Sequence, residues 1–251
     1  MTKKRFFCLS FALLMLSGTL TGCGKDSKPD RLTSVTLNEV AHSVFYAPLY
    51  VSIENGYFKE EGIDLSLVTG FGADKTMTAV LSGEADIGFM GPETTVYAAN
   101  EGATDTVVNF AQLTQRAGNF LVARAPSDHF SWNDLKGKAV LGGRKGGMPE
   151  MVFEYVLKQN GIDPTVDLSI DQSIDFGSTA AAFSGGSGDY TVEFEPGATA
   201  LESEGSGYVV ASLGVDSGYV PYTAFSAKQS YLDKNAGTVQ SFTNALQKGM
   251  N

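Results

Sequence analysis

Sulfur and imidazole are scarce in this 251-residue sequence, which holds two cysteines, two histidines and a single tryptophan. Cys8 and Cys23 both fall within the first 23 residues. The chain beyond them has no disulfide and no thiolate, so it must stand on its apolar core alone. His42 and His129 are isolated, with no second histidine or cysteine at ligand spacing, and both read as surface or loop residues rather than metal ligands. No nucleophile with a base and no paired carboxylates mark a catalytic centre. Nor is Gly142 to Gly147 a Walker loop, because Gly-Lys followed by Ser/Thr is missing. Basic residues are also in deficit, 18 against 28 acidic, for a net charge of −10. That balance argues against nucleic acid as a partner and against electrostatic adhesion to anionic lipid.

Long hydrophobic runs are few as well. Phe6 to Leu16 is apolar but too short to span a bilayer, and it follows the basic Lys3-Lys4-Arg5. Leu20-Thr21-Gly22-Cys23 then reads as a bacterial lipobox, with Cys23 the lipidated first residue of the mature protein. Residues 1–23 are therefore expected to be a lipoprotein signal peptide. Their removal leaves 15 basic residues against 28 acidic, a net −13, so anchoring falls to the lipid. The polar stretch 24–32 is a tether.

Glycine, by contrast, is plentiful, and it punctuates an alternation of strands and helices. Ile63 to Val68 alternates apolar and polar residues as a half-buried strand does. Gly70-Phe71-Gly72 breaks it, and Ala73, Met77, Val80 and Leu81 follow at helical spacing. Gly83 is placed to end that helix in the left-handed conformation. Ile87 to Met90 is a second strand, and Gly91-Pro92 opens another helix with proline at its first position. Strands linked through helices form parallel βαβ units whose loops gather on one edge of the sheet, where ligands bind in open α/β folds. Thr33 to Val40 precedes this unit as a strand. Val107 to Phe110, Ala139 to Leu141, Tyr190 to Phe194 and Gly207 to Leu213 follow it. A faint repeat links Ala79-Val80-Leu81-Ser82-Gly83 before Asp86 with Ala181-Ala182-Phe183-Ser184-Gly185 before Asp189, pointing to two halves of similar build.

The segments Glu54 to Val68 (ENGYFKEEGIDLSLV) and Leu81 to Gly91 (LSGEADIGFMG) resemble the solute-binding proteins of ABC importers for sulfonates, nitrate, taurine and thiamine-precursor pyrimidines. The resemblance runs from Val35 to Gly249. It implies an α/β, type II periplasmic-binding-protein fold: two similar lobes with a hinge, spanning 33–114 and 115–217. Residues 218–251 would be the return crossing and the start of C-terminal helices on lobe one. Relatives continue for several more helical segments, so the C-terminal part is expected to be missing. The resemblance also implies a monomer without enzymatic activity or cofactor. It would be lipid-anchored on the extracytoplasmic face of the cell membrane, deliver a small solute to an ABC permease and its ATPase, and have no nucleic-acid partner. Enzymes of pyrimidine synthesis and of the menaquinone pathway share this fold and form the alternative class. The cysteine cluster of the thiamine-pyrimidine enzyme is absent here.

Candidate ligand contacts come from the loops after the strands. Phe45 and Tyr46 are aromatic candidates for the pocket floor, although packing of either ring into the core would explain it equally. Phe71, Gly72 and Ala73 follow the second strand, Gly91 and Glu93 the third. Gly146, Gly147 and Met148 form a turn at a helix N-terminus, explicable by turn geometry or by an anion site. Phe176, Glu193 and Tyr219 complete the set. The helix dipole accounts fully for Glu93. Glu193 has no such explanation, and its alternatives are a ligand contact and a solvated strand face. Two ligand classes remain open. A sulfonate-like anion would use Arg144, Lys145 and the amides of Gly72-Ala73 and Gly146-Gly147. A flat aminated heterocycle would use the aromatic rings and the carboxylates. The acidic loops favour the heterocycle, because a buried carboxylate beside an anion costs several kcal/mol.

Overall fold

The computed structural model describes residues 31–174 and 177–251. The described residues form two five-stranded sheets with helices packed on them. One sheet contains β1 (Thr33–Glu39), β2 (Ile63–Thr69), β3 (Ile87–Met90), β4 (Val107–Thr114) and β10 (Thr223–Lys228), in the order β2-β1-β3-β10-β4. The other contains β5 (Asn119–Ala123), β6 (Ala139–Leu141), β7 (Ser169–Asp171), β8 (Tyr190–Phe194) and β9 (Tyr208–Ser212), in the order β7-β6-β8-β5-β9. Strand β1 runs parallel to β2 and β3, and β6 runs parallel to β7 and β8. One antiparallel strand is inserted in the same place in each sheet: β10 between β3 and β4, and β5 between β8 and β9. Both are the strands by which the chain enters from the other sheet. The two halves therefore share one topology, laced together by two crossings.

The helices fill the gaps between strands: α1 (Ala47–Glu54), α2 (Tyr57–Glu60), α3 (Ala73–Ser82) and α4 (Glu93–Asn100) in the first half. The second half has α5 (Met148–Gln159), α6 (Thr179–Ser184), α7 (Gly197–Ser203) and α8 (Leu213–Asp216). Beyond β10 come α9 (Gln229–Lys234) and α10 (Ala236–Met250). Helix α3 stops at Gly83, whose φ of 84° is the left-handed conformation that glycine adopts without a Cβ penalty. Pro92 stands just outside α4 as its N-cap rather than as its first residue.

Burial explains the placement of each sheet. Under the first sheet Phe89 stacks on Phe225 with ring centroids 4.2 Å apart, and Phe242 of α10 meets Phe225 edge-on at 5.3 Å. All three rings are fully buried. Under the second sheet Leu121, Val140, Phe153, Val156 and Val192 form the core, closed by Trp132 and Leu135 of a 3-10 turn.

Three strands were not expected from the sequence: β5, β7 and β10. In β10 small Ala and Ser residues flank Phe225, and all but the last residue are buried, so no apolar-polar alternation marks it. Strand β7 is three residues long at a sheet edge. Strand β4 also runs on to Thr114, past the expected end at Phe110, because β10 pairs with it over that length.

Candidate ligand-binding site

A cavity of about 800 Å³ lies where the loops of the two sheets meet. Its first wall comes from the β1–α1 loop (Val40 to Ser43, Tyr46), from Phe71 and Ala73 ahead of α3, and from Gly91, Glu93 and Tyr97 around α4. The opposing wall comes from Arg144 to Pro149 at the start of α5, Thr179 and Ala180 of α6, and Val192 to Gly197 across the end of β8. Tyr222 and Thr223 at the second crossing form part of the floor.

The two walls touch. Arg144 Nη2 bonds Asp74 Oδ2 at 3.1 Å, and the amide of Met148 donates to Glu93 Oε1 at 3.0 Å. Tyr97 Oη donates to Met151 Sδ at 3.1 Å, and Ser43 Oγ donates to the Glu195 carbonyl at 3.3 Å. Each pair joins an element of the first half to one of the second, so the cleft is closed.

Glu93 dominates the chemistry. It is only 7% exposed, and its carboxylate lies over Gly91, where a Cβ would collide with both oxygens. Oε1 is engaged by Met148, whereas Oε2 is buried without a hydrogen-bond partner. Burial pushes the carboxyl up to about 7, against the opposing pull of its backbone hydrogen bonds. From the other wall Glu193 is 5% exposed and accepts from Thr191 Oγ1 at 2.7 Å and from Thr179. Burial raises its pKa too. It is not the solvated strand residue that the sequence left open, because α6 and α7 cover that face of β8. The Tyr222 hydroxyl is likewise buried without a partner. The Tyr46 hydroxyl is hydrogen-bonded to Thr223, and burial raises its pKa.

The glycine turn before α5 presents amide donors, but the chain's own carboxylates take two of them. The Gly146 amide donates to Glu150 Oε2 at 3.1 Å, and the Met148 amide is held by Glu93. Burial, aided by neighbouring Glu154, pushes the Glu150 carboxyl up.

Of the sequence candidates, Tyr46, Phe71, Ala73, Gly91, Glu93, Gly146, Gly147, Met148 and Glu193 line the cavity. Phe71 does so from a left-handed backbone conformation, φ 56°. Three candidates do not line it. The Phe45 ring packs against the cores of both halves, with Tyr46, Phe194 and Tyr222 around it, in a space that a Cβ on Gly118 would fill. It is a wedge at the crossing. Tyr219 is exposed beneath the Arg116 guanidinium, 4.2 Å from its ring centre, because the second crossing turns it outward. Gly72 stands just behind the wall, with Asp74 and Arg144 packed over it. Phe176 and Cys23 lie outside the described residues. Among the lining residues that the sequence reading missed are Tyr97 and His42, both with polar side chains on the first wall. Tyr97 is one helical turn beyond Glu93, a spacing that could have flagged it. His42 does have an acidic partner: its Nδ1 lies 2.8 Å from Glu39 Oε1, and that pair spans the end of β1. No cluster of metal-ligating side chains is present among the described residues.

With this geometry in place, similarity to known proteins is informative. YtlA of Bacillus subtilis (strain 168), which carries the name of a binding protein, is 51% identical over 243 residues, covering 97% of this chain and 71% of YtlA. The alkanesulfonate-binding protein SsuA of Xanthomonas axonopodis pv. citri superposes with a TM-score of 0.72 at 19% identity, covering 87% of this chain and 73% of SsuA. The periplasmic nitrate-binding protein NrtA of Synechocystis PCC 6803 gives a TM-score of 0.70 at 17% identity, covering 87% and 61%. These two structures establish the fold alone, and it is the periplasmic-binding-protein fold expected from the sequence. Residues 44–251 match the profile of the NMT1/THI5 like family, and the chain belongs to that family.

Proposed function

We propose that this chain is an extracytoplasmic solute-binding protein that captures a small molecule between its two lobes for an ABC permease and its ATPase. In this reading the lobes are 33–114 and 115–217, with 218–251 returning to the first. Membership of the NMT1/THI5 like family and the closed cleft support capture rather than catalysis. The ligand is a flat heterocycle bearing exocyclic N–H donors, of the kind found in thiamine-precursor pyrimidines. One observation carries this choice. Both cavity walls present a buried carboxyl group, and the partnerless Glu93 Oε2 lacks a donor that a ligand would supply. A sulfonate or nitrate would compete for the amides that Glu93 and Glu150 already occupy, and would be enclosed beside a buried carboxyl group on each wall.

Tyr46, Phe71 and Tyr97 supply ring faces around such a ligand. Titration calorimetry with 4-amino-2-methylpyrimidine and with taurine tests the reading: tight binding of the pyrimidine alone is expected, and tight binding of taurine alone overturns the ligand class. The same proposal extends to the N-terminus, with the protein held at the membrane by lipid on Cys23. Fatty-acid labelling should be lost in Cys23→Ala, and labelling that persists in this variant removes the anchor from the reading.

A further inference from the structure

The β1–α1 loop contains an arrangement that neither packing nor capping requires. Glu39, the last residue of β1, is completely buried, and its carboxylate receives three side-chain donors. Tyr50 Oη donates to Oε2 at 2.7 Å, Thr69 Oγ1 donates to Oε1 at 2.9 Å, and His42 Nδ1 lies 2.8 Å from Oε1. The His42 ring lies against that of Tyr50, with centroids 4.4 Å apart and planes 32° from each other. Tyr50 Oη in turn accepts from the Ser43 amide at 3.1 Å, closing the loop on itself. The imidazole is thus held at one nitrogen and along one face, yet its side chain is 65% exposed and lines the cavity.

The geometry assigns His42 as a ligand-contacting residue and Glu39 as its positioning residue. A carboxylate can only accept, so the nitrogen facing Glu39 must carry the proton. In the neutral ring the opposite nitrogen, Nε2, is then an acceptor. Nε2 has no protein partner among the described residues, and the residue that carries it lines the cavity. It adds a neutral acceptor to the carboxyl groups of Glu93 and Glu193, and so selects a ligand with a further N–H or O–H donor. This assignment rests on the solute-binding reading for its ligand, but not for its tautomer.

Two measurements test it separately. Long-range proton–nitrogen NMR of the ligand-free protein at about pH 9, where imidazole is ordinarily neutral, should show His42 with its proton on Nδ1. Glu39→Gln should mix the two tautomers. A proton on Nε2 in the unmodified protein overturns the assignment. Calorimetry with 4-amino-2-methylpyrimidine should then show about tenfold weaker binding by His42→Phe, which keeps a ring on Tyr50 but removes both nitrogens. Its melting temperature should barely change. Equal affinity in the two proteins overturns the ligand contact. If the unmodified protein binds neither this pyrimidine nor taurine, the solute-binding reading loses support, and the tautomer spectrum alone decides the Glu39–His42 arrangement.

Discussion

A buried carboxyl oxygen without a donor is costly, and Glu93, whose Oε2 has none, shows that cost in its protonation. Its folded pKa of about 7 lies above the ordinary value of 4.5 because burial penalises the charged form. Between those values the folded protein holds a proton that the unfolded chain has released. Stability must therefore fall as pH rises from about 4.5 to about 7, by up to about 3 kcal/mol from this group. Glu193 pulls in the same direction. Glu93→Gln should flatten the slope and raise the urea midpoint at about pH 8, and an unchanged profile would show that Glu93 ionises without penalty. For Glu193→Gln the effect is expected on the ligand: about 1–3 kcal/mol weaker binding of 4-amino-2-methylpyrimidine by calorimetry, through loss of a charge-assisted hydrogen bond. Phe71 poses the opposite trade. Its left-handed backbone costs about 1–2 kcal/mol, a cost that glycine would not carry. Phe71→Gly should leave thermal stability equal or higher while weakening the same pyrimidine, since the ring is half exposed and packs on the cavity rather than the core.

At the level of elements, β10 holds the first half together. It pairs antiparallel with both β3 and β4, and Phe225 at its centre meets Phe89 and Phe242. Phe225→Ala should cost about 3–5 kcal/mol in urea unfolding, because α10 and the sheet cannot both close on the space left behind. Helix α5 combines two tasks. Its buried face (Val152, Phe153, Val156) anchors the second core, while its first turn carries the Met148 amide across the cleft to Glu93. A change of packing under α5 would therefore move the donor that closes the cavity.

For the molecule as a whole, closure is a balance of small contacts. The Asp74–Arg144 pair is partly exposed and contributes modestly, so Asp74→Ala should weaken binding of 4-amino-2-methylpyrimidine only about two- to fivefold, mainly through faster release. The Phe45 wedge touches both cores and stands beside the two crossings, against Gly118 and Tyr222. Small-angle scattering should show a radius of gyration that falls on addition of a saturating ligand. A constant radius with proven binding would mean that the lobes do not move.

The amino-acid sequence by itself determined the alternating architecture. Strand and helix periodicities are local, and glycines such as Gly83 end elements through their own backbone freedom. The segments Glu54 to Val68 and Leu81 to Gly91 sufficed to place the chain in its family. Which side chains meet was decided only by tertiary structure. Strand β10 could not be read because its burial comes from two neighbours distant in sequence, not from its own pattern. Glu193 stood open between a ligand contact and a solvated strand face until α6 and α7 covered it. Tyr219 looked like a wall residue until the second crossing turned it outward. His42 looked solitary because its partner lies across the end of a strand, held buried by Tyr50 and Thr69. Burial and hydrogen-bond satisfaction are properties of the assembled environment, and that environment alone left one oxygen of a glutamate at a helix start buried in a cavity wall without a donor.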